Sequence, residues 1–425
     1  LVTDVDDSGG LTSPVLTRPL DNPKGEPQTL VGKPNTAKSI NGAGHDGPWR
    51  VDVRGPLAAG VAADQLSRVT GGPIRGISAV SCSAPSTDAW FAGFATDVGQ
   101  HSHLLLTNVD DVPAVVQVDI WGPDGEIGGR GSLGVTVQPY KQTMLHLDEV
   151  APGLSVGALH VTTTAGRVAS AISYDAQDGS LPLGIDWVPP TQGPARNLVI
   201  PGIVGGAGPR SLAVAVPGEV DADVTVRVVR PDGSFAPEDA PPVTVSAGSV
   251  TSVDLAAALE SQPAALVLSS TEPIVAGVVQ SIPGAGGTAE VAFTSAALPL
   301  SGPAGVPGNL GGATRHTQLL LTAPDEDAGV TVRALPRDGS EGTSKHVQIP
   351  AGTTQVVDVA GMTKDDHAAL VVVPDKGSVV YGARVLVEQD PAGGWTWVTS
   401  APMVSVTAVR TVHAASPSLD LGLPR

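Results

Sequence analysis

The feature that most limits what this chain can fold into is that it repeats itself. His103-Leu104-Leu105-Leu106-Thr107-Asn108 leads to Trp121-Gly122-Pro123-Asp124-Gly125. Ser211-Leu212-Ala213-Val214 leads to Arg230-Pro231-Asp232-Gly233, and Gln318-Leu319-Leu320-Leu321-Thr322 leads to Arg337-Asp338-Gly339. Asp124, Asp232 and Asp338 stand 108 and 106 positions apart. Downstream, Val135-Thr136-Val137, Val243-Thr244-Val245 and Val347-Gln348-Ile349 match, as do Gly157-Ala158-Leu159, Ala264-Ala265-Leu266 and Ala368-Ala369-Leu370. A unit of about 107 residues is long enough to bury its own core.

Inside each unit the apolar residues alternate with polar ones in short runs punctuated by Gly, Pro and Asp. The stretch from Asp88 to Tyr174 shows this best, and the pattern is that of strands. Gly (52) and Pro (38) supply the many turns such a chain needs. With only 6 Trp, 3 Tyr and 4 Phe, each core must rest on Val, Leu, Ile and Ala. The fold expected is all-β: tandem immunoglobulin-like antiparallel sandwiches, each with two sheets of three to four strands. A β-propeller with two blades per unit is the alternative; against it, the halves of a unit do not resemble each other.

The expected divisions are an incomplete N-terminal β-unit at 1–86, sandwich repeats at 87–192, 193–302 and 303–403, and C-terminal strands and tail at 404–425. The first rests on Trp49-Arg50-Val51-Asp52-Val53 through Val61, which resembles Ala265 through Gly277; Ile77-Ser78-Ala79-Val80 matches Val291-Ala292-Phe293-Thr294. The sequence before Trp49 is too short and polar for a full unit, so strands are expected to be missing or supplied from elsewhere. Val253 to Glu260 is the one convincing helical piece. Leu105, Val116, Val137, Leu145, Leu159 and Ile172 are expected to point into one core, with Val214, Val224, Val245, Val253, Leu266 and Val278 as their counterparts.

The chain carries 42 acidic against 24 basic residues, a net charge of −18. That argues against nucleic acid and against an anionic membrane surface as partners. No apolar run is long enough for a membrane-spanning helix, so any anchor is expected outside this sequence. Cys82 is the one cysteine, either a small hydrophobe, a free thiol or the remnant of a lost disulfide. It is expected to be neither a metal ligand nor a catalytic thiolate.

Reaction signatures are missing from the sequence. No G-x-S-x-G, H-E-x-x-H, zinc-type cysteine pair or strand-borne G-x-G-x-x-G occurs. Asp4, Asp6, Ser8 and Gly9 take early positions of a calcium loop, but Val15 stands where the bidentate Glu is needed. Asp124, Asp232 and Asp338 read as hairpin-turn residues. Asp175, Asp178 and Asp186 suit a glycosidase pair by type but read as turn aspartates. The densest polar group comprises His101, His103, Asp110, Asp111, His146, Asp148, Glu149 and His160. His101 and His103 share a strand face, and His146 and His160 are expected on neighbouring strands. The main reading is a set of histidines on a sheet's solvent face, because His103 aligns with Ser211 and Gln318. A two- or three-histidine metal site stays open beside it. Trp121 and Trp395 are the candidate glycan contacts, Trp395 sharing a strand face with Trp397. No catalytic residue and no cofactor is expected.

Trp90-Phe91-Ala92-Gly93, Leu104-Leu105-Leu106-Thr107-Asn108, a Pro-Asp-Gly turn and a Val-Ala-Ser strand together resemble a domain family of unknown function, found in tandem in secreted or membrane-anchored actinobacterial proteins. Pro350-Ala351-Gly352-Thr353-Thr354 and Pro273-Ile274-Val275-Ala276 match its last two elements. The resemblance covers about Trp49 to Met403 and implies no reaction and no ligand. Function is therefore expected to be non-enzymatic: an extracellular or cell-envelope protein presenting serial β-domains to a protein partner, with no nucleic acid bound. A carbohydrate-binding module and a hydrolase with an unrecognised site are the alternatives.

Overall fold

A computed structural model describes residues 2–3, 15–31, 37–39, 47–53, 60–128, 133–236, 242–312, 314–337, 340–363, 368–389 and 394–406. Among these, structure is almost wholly antiparallel strand, with two four-residue α-helices, Leu147–Val150 and Ala256–Leu259. The aspartates of the loop read for calcium, and Asp338, lie outside the described residues.

Unit 1 is a sandwich. Its outer sheet runs Gly125–Glu126, Ala114–Gly122, Gly157–Ala165, Asp88–Phe94, with Leu133–Val137 also paired to Ala114–Gly122. Its inner sheet runs Gln142–His146, Gln100–Thr107, Ala169–Asp178, Leu181–Val188. Leu104, Leu106, Val116, Val137, Leu159 and Ile172 fill the space between the sheets, with Leu145 packed against them. Leu105 is the exception to the expected core: it lies on the opposite face, because side chains alternate and Leu104 and Leu106 take the inward positions. Its equivalent by alignment is Ala213, not Val214.

Units 2 and 3 repeat the plan around separate cores. All six expected inward positions of unit 2 join its core, Val253 at the edge. There the strand Ala264–Pro283 is 20 residues long and serves both sheets. Units 1 and 3 break the same path into two strands, Gly157–Ala165 and Ala169–Asp178, and Ala369–Pro374 and Tyr381–Gln389. Asp124 and Asp232 sit in two-residue hairpins followed by Gly125 and Gly233, both with positive φ. The N-terminal unit contributes a three-stranded sheet (Gln28–Val31, Val15–Pro19, Trp49–Val53) and the hairpin Asp64–Val69/Gly76–Ser81. Ser405 bridges to Ala304, so the segment after Met403 packs on unit 3.

The four units are arranged in a closed circle, and no propeller of single-sheet blades forms. The last strand of each unit, Gly76–Ser81, Leu181–Val188, Ala289–Ser295 and Thr396–Pro402, packs against the next around one centre. The circle closes where the N-terminal hairpin meets unit 3. There Arg68 binds Glu388 with three bonds, Nε to both carboxylate oxygens at 3.0 Å and Nη2 to Oε1 at 2.5 Å, and the buried Asp64 pairs with Arg384. Neighbouring units lie so close that some positions tolerate only glycine. A Cβ on Gly277 of unit 2 would sit 2.4 Å from the Ala92 carbonyl oxygen of unit 1.

Candidate functional site

Two places gather polar side chains: the centre of the circle and one face of unit 1. At the centre, Asp186 follows Ile185 in the last strand of unit 1, and Glu290 precedes Val291 in the last strand of unit 2. Asp186 is 2 % and Glu290 1 % exposed. Asp186 accepts hydrogen bonds from the Thr399 hydroxyl at 2.8 Å and the Phe293 N–H at 3.2 Å, and also from the N–H groups of Trp187 and Ala79. Those donors come from all four units. Glu290 Oε1 accepts from the N–H groups of Ile185 at 3.0 Å and Val291 at 3.1 Å. Burial pushes both carboxyls well above the usual range, and Asp186 raises Glu290 further. Asp186 is therefore not a turn residue. It is a strand residue whose carboxyl gathers backbone donors that four abutting strands leave over. Glu290 does the same work and was invisible to motif reading. The only sequence signal for either was an acid within an apolar run. Gly184 permits the close approach, since a Cβ there would meet Val291 N at 2.3 Å.

The second place is the outward face of unit 1's inner sheet. His103 stands directly opposite His146 on the edge strand, and opposite Ser173 on the other side. The two rings meet edge-on with centroids 4.7 Å apart. Asp148, in the first turn of the Leu147–Val150 helix, completes a group whose ligand atoms all lie within 4.8 Å of one another. Asp148 Oδ1 is buried without a hydrogen-bond partner. His101, two residues along, donates from Nδ1 to Asp175 at 2.9 Å. Burial first, then the neighbouring His146, holds His103 below the usual imidazole range, so its ring is neutral near pH 7.

His160 does not join this group. It lies on the outer sheet, where it stacks on Trp90 with centroids 3.7 Å apart and bonds Asp88 at 2.8 Å. Sequence order placed it on a later strand but could not say in which sheet. Asp110 pairs with Arg167, which holds its carboxyl below the usual range.

Trp121 is 8 % exposed and stacks on Trp90 at 5.5 Å under unit 2, packed with Ala213, Ala215 and Val275. It offers no free indole face to a sugar. Trp395 does share a face with Trp397, stacked at 3.8 Å, but the pair packs against the N-terminal hairpin at Leu66, Ile77 and Ala79. Cys82 is exposed as a residue. Packed atoms around it, then Asp64, push its thiol up to about 11. Cys82 is therefore a thiol, not a thiolate, near neutral pH.

Among the described residues, one surface hollow is lined by Thr343, Ser344, Lys345, Asp358 and Met362 and another by Ser86, Asp88, Trp90 and Thr191. No helix among the described residues is long and apolar enough to cross a membrane. No curated protein and no solved structure matches the chain. A family model matches most of the sequence, residues 36–360, an extent that takes in the N-terminal strands from Trp49 onward, units 1 and 2 and much of unit 3. By that match the chain belongs to a family of unknown function, DUF5719.

Proposed function

We propose that this protein acts by binding and not by turnover: a non-enzymatic extracellular or cell-envelope protein whose closed circle of β-units presents one face to a protein partner. The observation that carries this is the difference in cover between equivalent faces. In unit 2, Ala213 and Ala215 are each 1 % exposed beneath Trp90, Ala92 and Ala158 of unit 1. In unit 3, Leu320 is 1 % exposed beneath Ala292 and its neighbours in unit 2. In unit 1 the matching face keeps Leu105 half-buried and Met144 48 % exposed; among the described residues of the preceding unit, Arg50 reaches its rim, at the Val109 carbonyl and the Tyr140 ring. A rigid sheet face with apolar side chains between histidines suits a partner's surface.

The secreted or envelope location, and an actinobacterial source, draw their support from the motif resemblance. A net charge of −18 weighs against nucleic acid as the partner. Binding is favoured over hydrolysis because the buried carboxylates are occupied with holding strands together. Native envelope material passed over the immobilised chain tests the proposal. Wild-type protein is expected to retain a partner that a Leu105→Glu/Met144→Glu variant loses. Equal capture by both, or hydrolysis of a glycan, ester or peptide abolished by His101→Ala, would overturn it.

A further inference from the structure

We propose that His103, His146 and Asp148 form a binding site for one divalent transition-metal ion of the zinc class, with an open coordination position toward solvent. This departs from the expectation that these histidines are ordinary surface residues. It holds whether or not a partner docks on the same face.

The argument begins with the repeats, which supply two internal controls on nearly the same backbone. The register pairs His103 with His146 in unit 1, Ser211 with Asp254 in unit 2, and Gln318 with Asp358 in unit 3. In units 2 and 3 the aspartate has a local task. Asp254 Oδ1 accepts the Ala256 N–H at 2.9 Å, and Asp358 Oδ1 accepts the Ala360 N–H at 2.8 Å. Each thereby holds the turn that follows the strand. Unit 1 changes all three positions together: Ser or Gln becomes His103, the turn-holding Asp becomes His146, and the Ala two residues on becomes Asp148. The turn survives, but His146 gives it no side-chain cap. The replaced residues are three good metal-ligand types in one place, and the unit gives up a stabilising bond to have them.

Geometry agrees. The three ligand atoms lie within 4.8 Å of one another. A tetrahedral site with bonds of about 2.0–2.1 Å needs ligand atoms roughly 3.3 Å apart, so the three atoms must close in by up to about 1.5 Å on binding. The two imidazoles come from directly paired strand residues, so the sheet fixes their spacing. Asp148 Oδ1 is buried with no partner, a state a carboxylate oxygen tolerates poorly unless a cation meets it. Two imidazoles and one carboxylate suit zinc, and also nickel, cobalt or copper. Three protein ligands leave a position for water or for a group from outside. Asp175, bonded to His101, stands near enough to act on His103 and adds negative charge beside the site.

The test is titration of the chelator-treated full chain with zinc chloride, followed by calorimetry, with cobalt as a spectroscopic probe of tetrahedral ligation. One zinc per chain is expected, with a Co²⁺ spectrum of four-coordinate type. A variant carrying His103→Gln, His146→Asp and Asp148→Ala reproduces the residues of unit 3, so it is expected to fold; circular dichroism checks this. It should lose zinc affinity by at least the ~10–100-fold that follows removal of even an outer-shell partner. Should that variant fail to fold, the single Asp148→Asn change, which keeps shape and removes charge, is expected to weaken zinc about tenfold or more. His160→Ala is expected to change nothing. No stoichiometric zinc in the wild-type chain, or unchanged affinity in the folded triple variant, would overturn the assignment.

Discussion

Unit 1 and unit 2 carry the same strands in the same order, yet their inner sheets meet different surroundings. The position facing Ala213 in unit 2 is Gly277, where a side chain would strike the Ala92 carbonyl of unit 1. The position facing Leu105 in unit 1 is Ala171, half-buried on a face that no unit covers to the same extent. One repeat has been trimmed to be sat upon and the other has not. Repetition fixes a fold, but cover from the neighbouring unit decides which residues are free to vary. In unit 1 that freedom is spent on histidines and an exposed methionine.

The largest expected effect lies at the centre, which every unit shares. Asp186→Ala leaves the Thr399 hydroxyl and Phe293 N–H without an acceptor, at about 1–3 kcal/mol each. A loss of roughly 3 kcal/mol or more in denaturant unfolding is expected, against a change within about 0.5 kcal/mol for His101→Ala on the open face. The same centre sets a pH dependence. Because Asp186 and Glu290 have folded pKa values raised above those of the unfolded chain, near 4, their contribution is fully present below that pH. It declines as pH rises from there toward the folded values. Glu290→Gln keeps the acceptor that Ile185 and Val291 use, and is expected to flatten this slope in unfolding curves taken from pH 4 to 8. An unchanged slope would remove Glu290 from the account.

Gly277→Ala is expected to cost about 1–3 kcal/mol through backbone overlap between units. Ala171→Val, the matched enlargement in unit 1, should stay within about 0.5 kcal/mol. Equal costs would mean that the two faces are equally covered. The smallest effect concerns the turn after the edge strand. Asp254→Ala should lose about 1 kcal/mol with its bond to the Ala256 N–H, whereas His146→Asp should gain up to a similar amount by supplying the matching turn bond in unit 1. Thermal unfolding of the two variants checks both signs.

Much of this was legible in the sequence, and what was not has physical reasons. Strand content, the repeat and the hairpin aspartates Asp124 and Asp232 follow from alternation and turn chemistry, which are local. Leu105 was assigned to the wrong face because three consecutive leucines hide the phase of a two-residue period. His146 beside His103 followed from strand adjacency, but His160 went to the other sheet of the sandwich, a choice that local pattern does not encode. Trp121 looked free because its cover comes from unit 2. Asp186 reads as a turn residue and Glu290 carries no motif because their donors come from strands far apart in sequence. That the N-terminal hairpin closes a circle through Arg68 and Glu388 is not legible in the sequence, since the pair is 320 residues apart.

The central claim is that, among the described residues, the circle covers the inner sheets of units 2 and 3 more fully than that of unit 1. Single cysteines at Leu105, Ala213 and Leu320, each in a Cys82→Ser background, test it by their rates of reaction with a maleimide under native conditions. Leu105→Cys is expected to react rapidly, while Ala213→Cys and Leu320→Cys react only as fast as units separate or unfold. Labelling of Ala213→Cys or Leu320→Cys at the rate of Leu105→Cys, with the fold intact, would contradict the account.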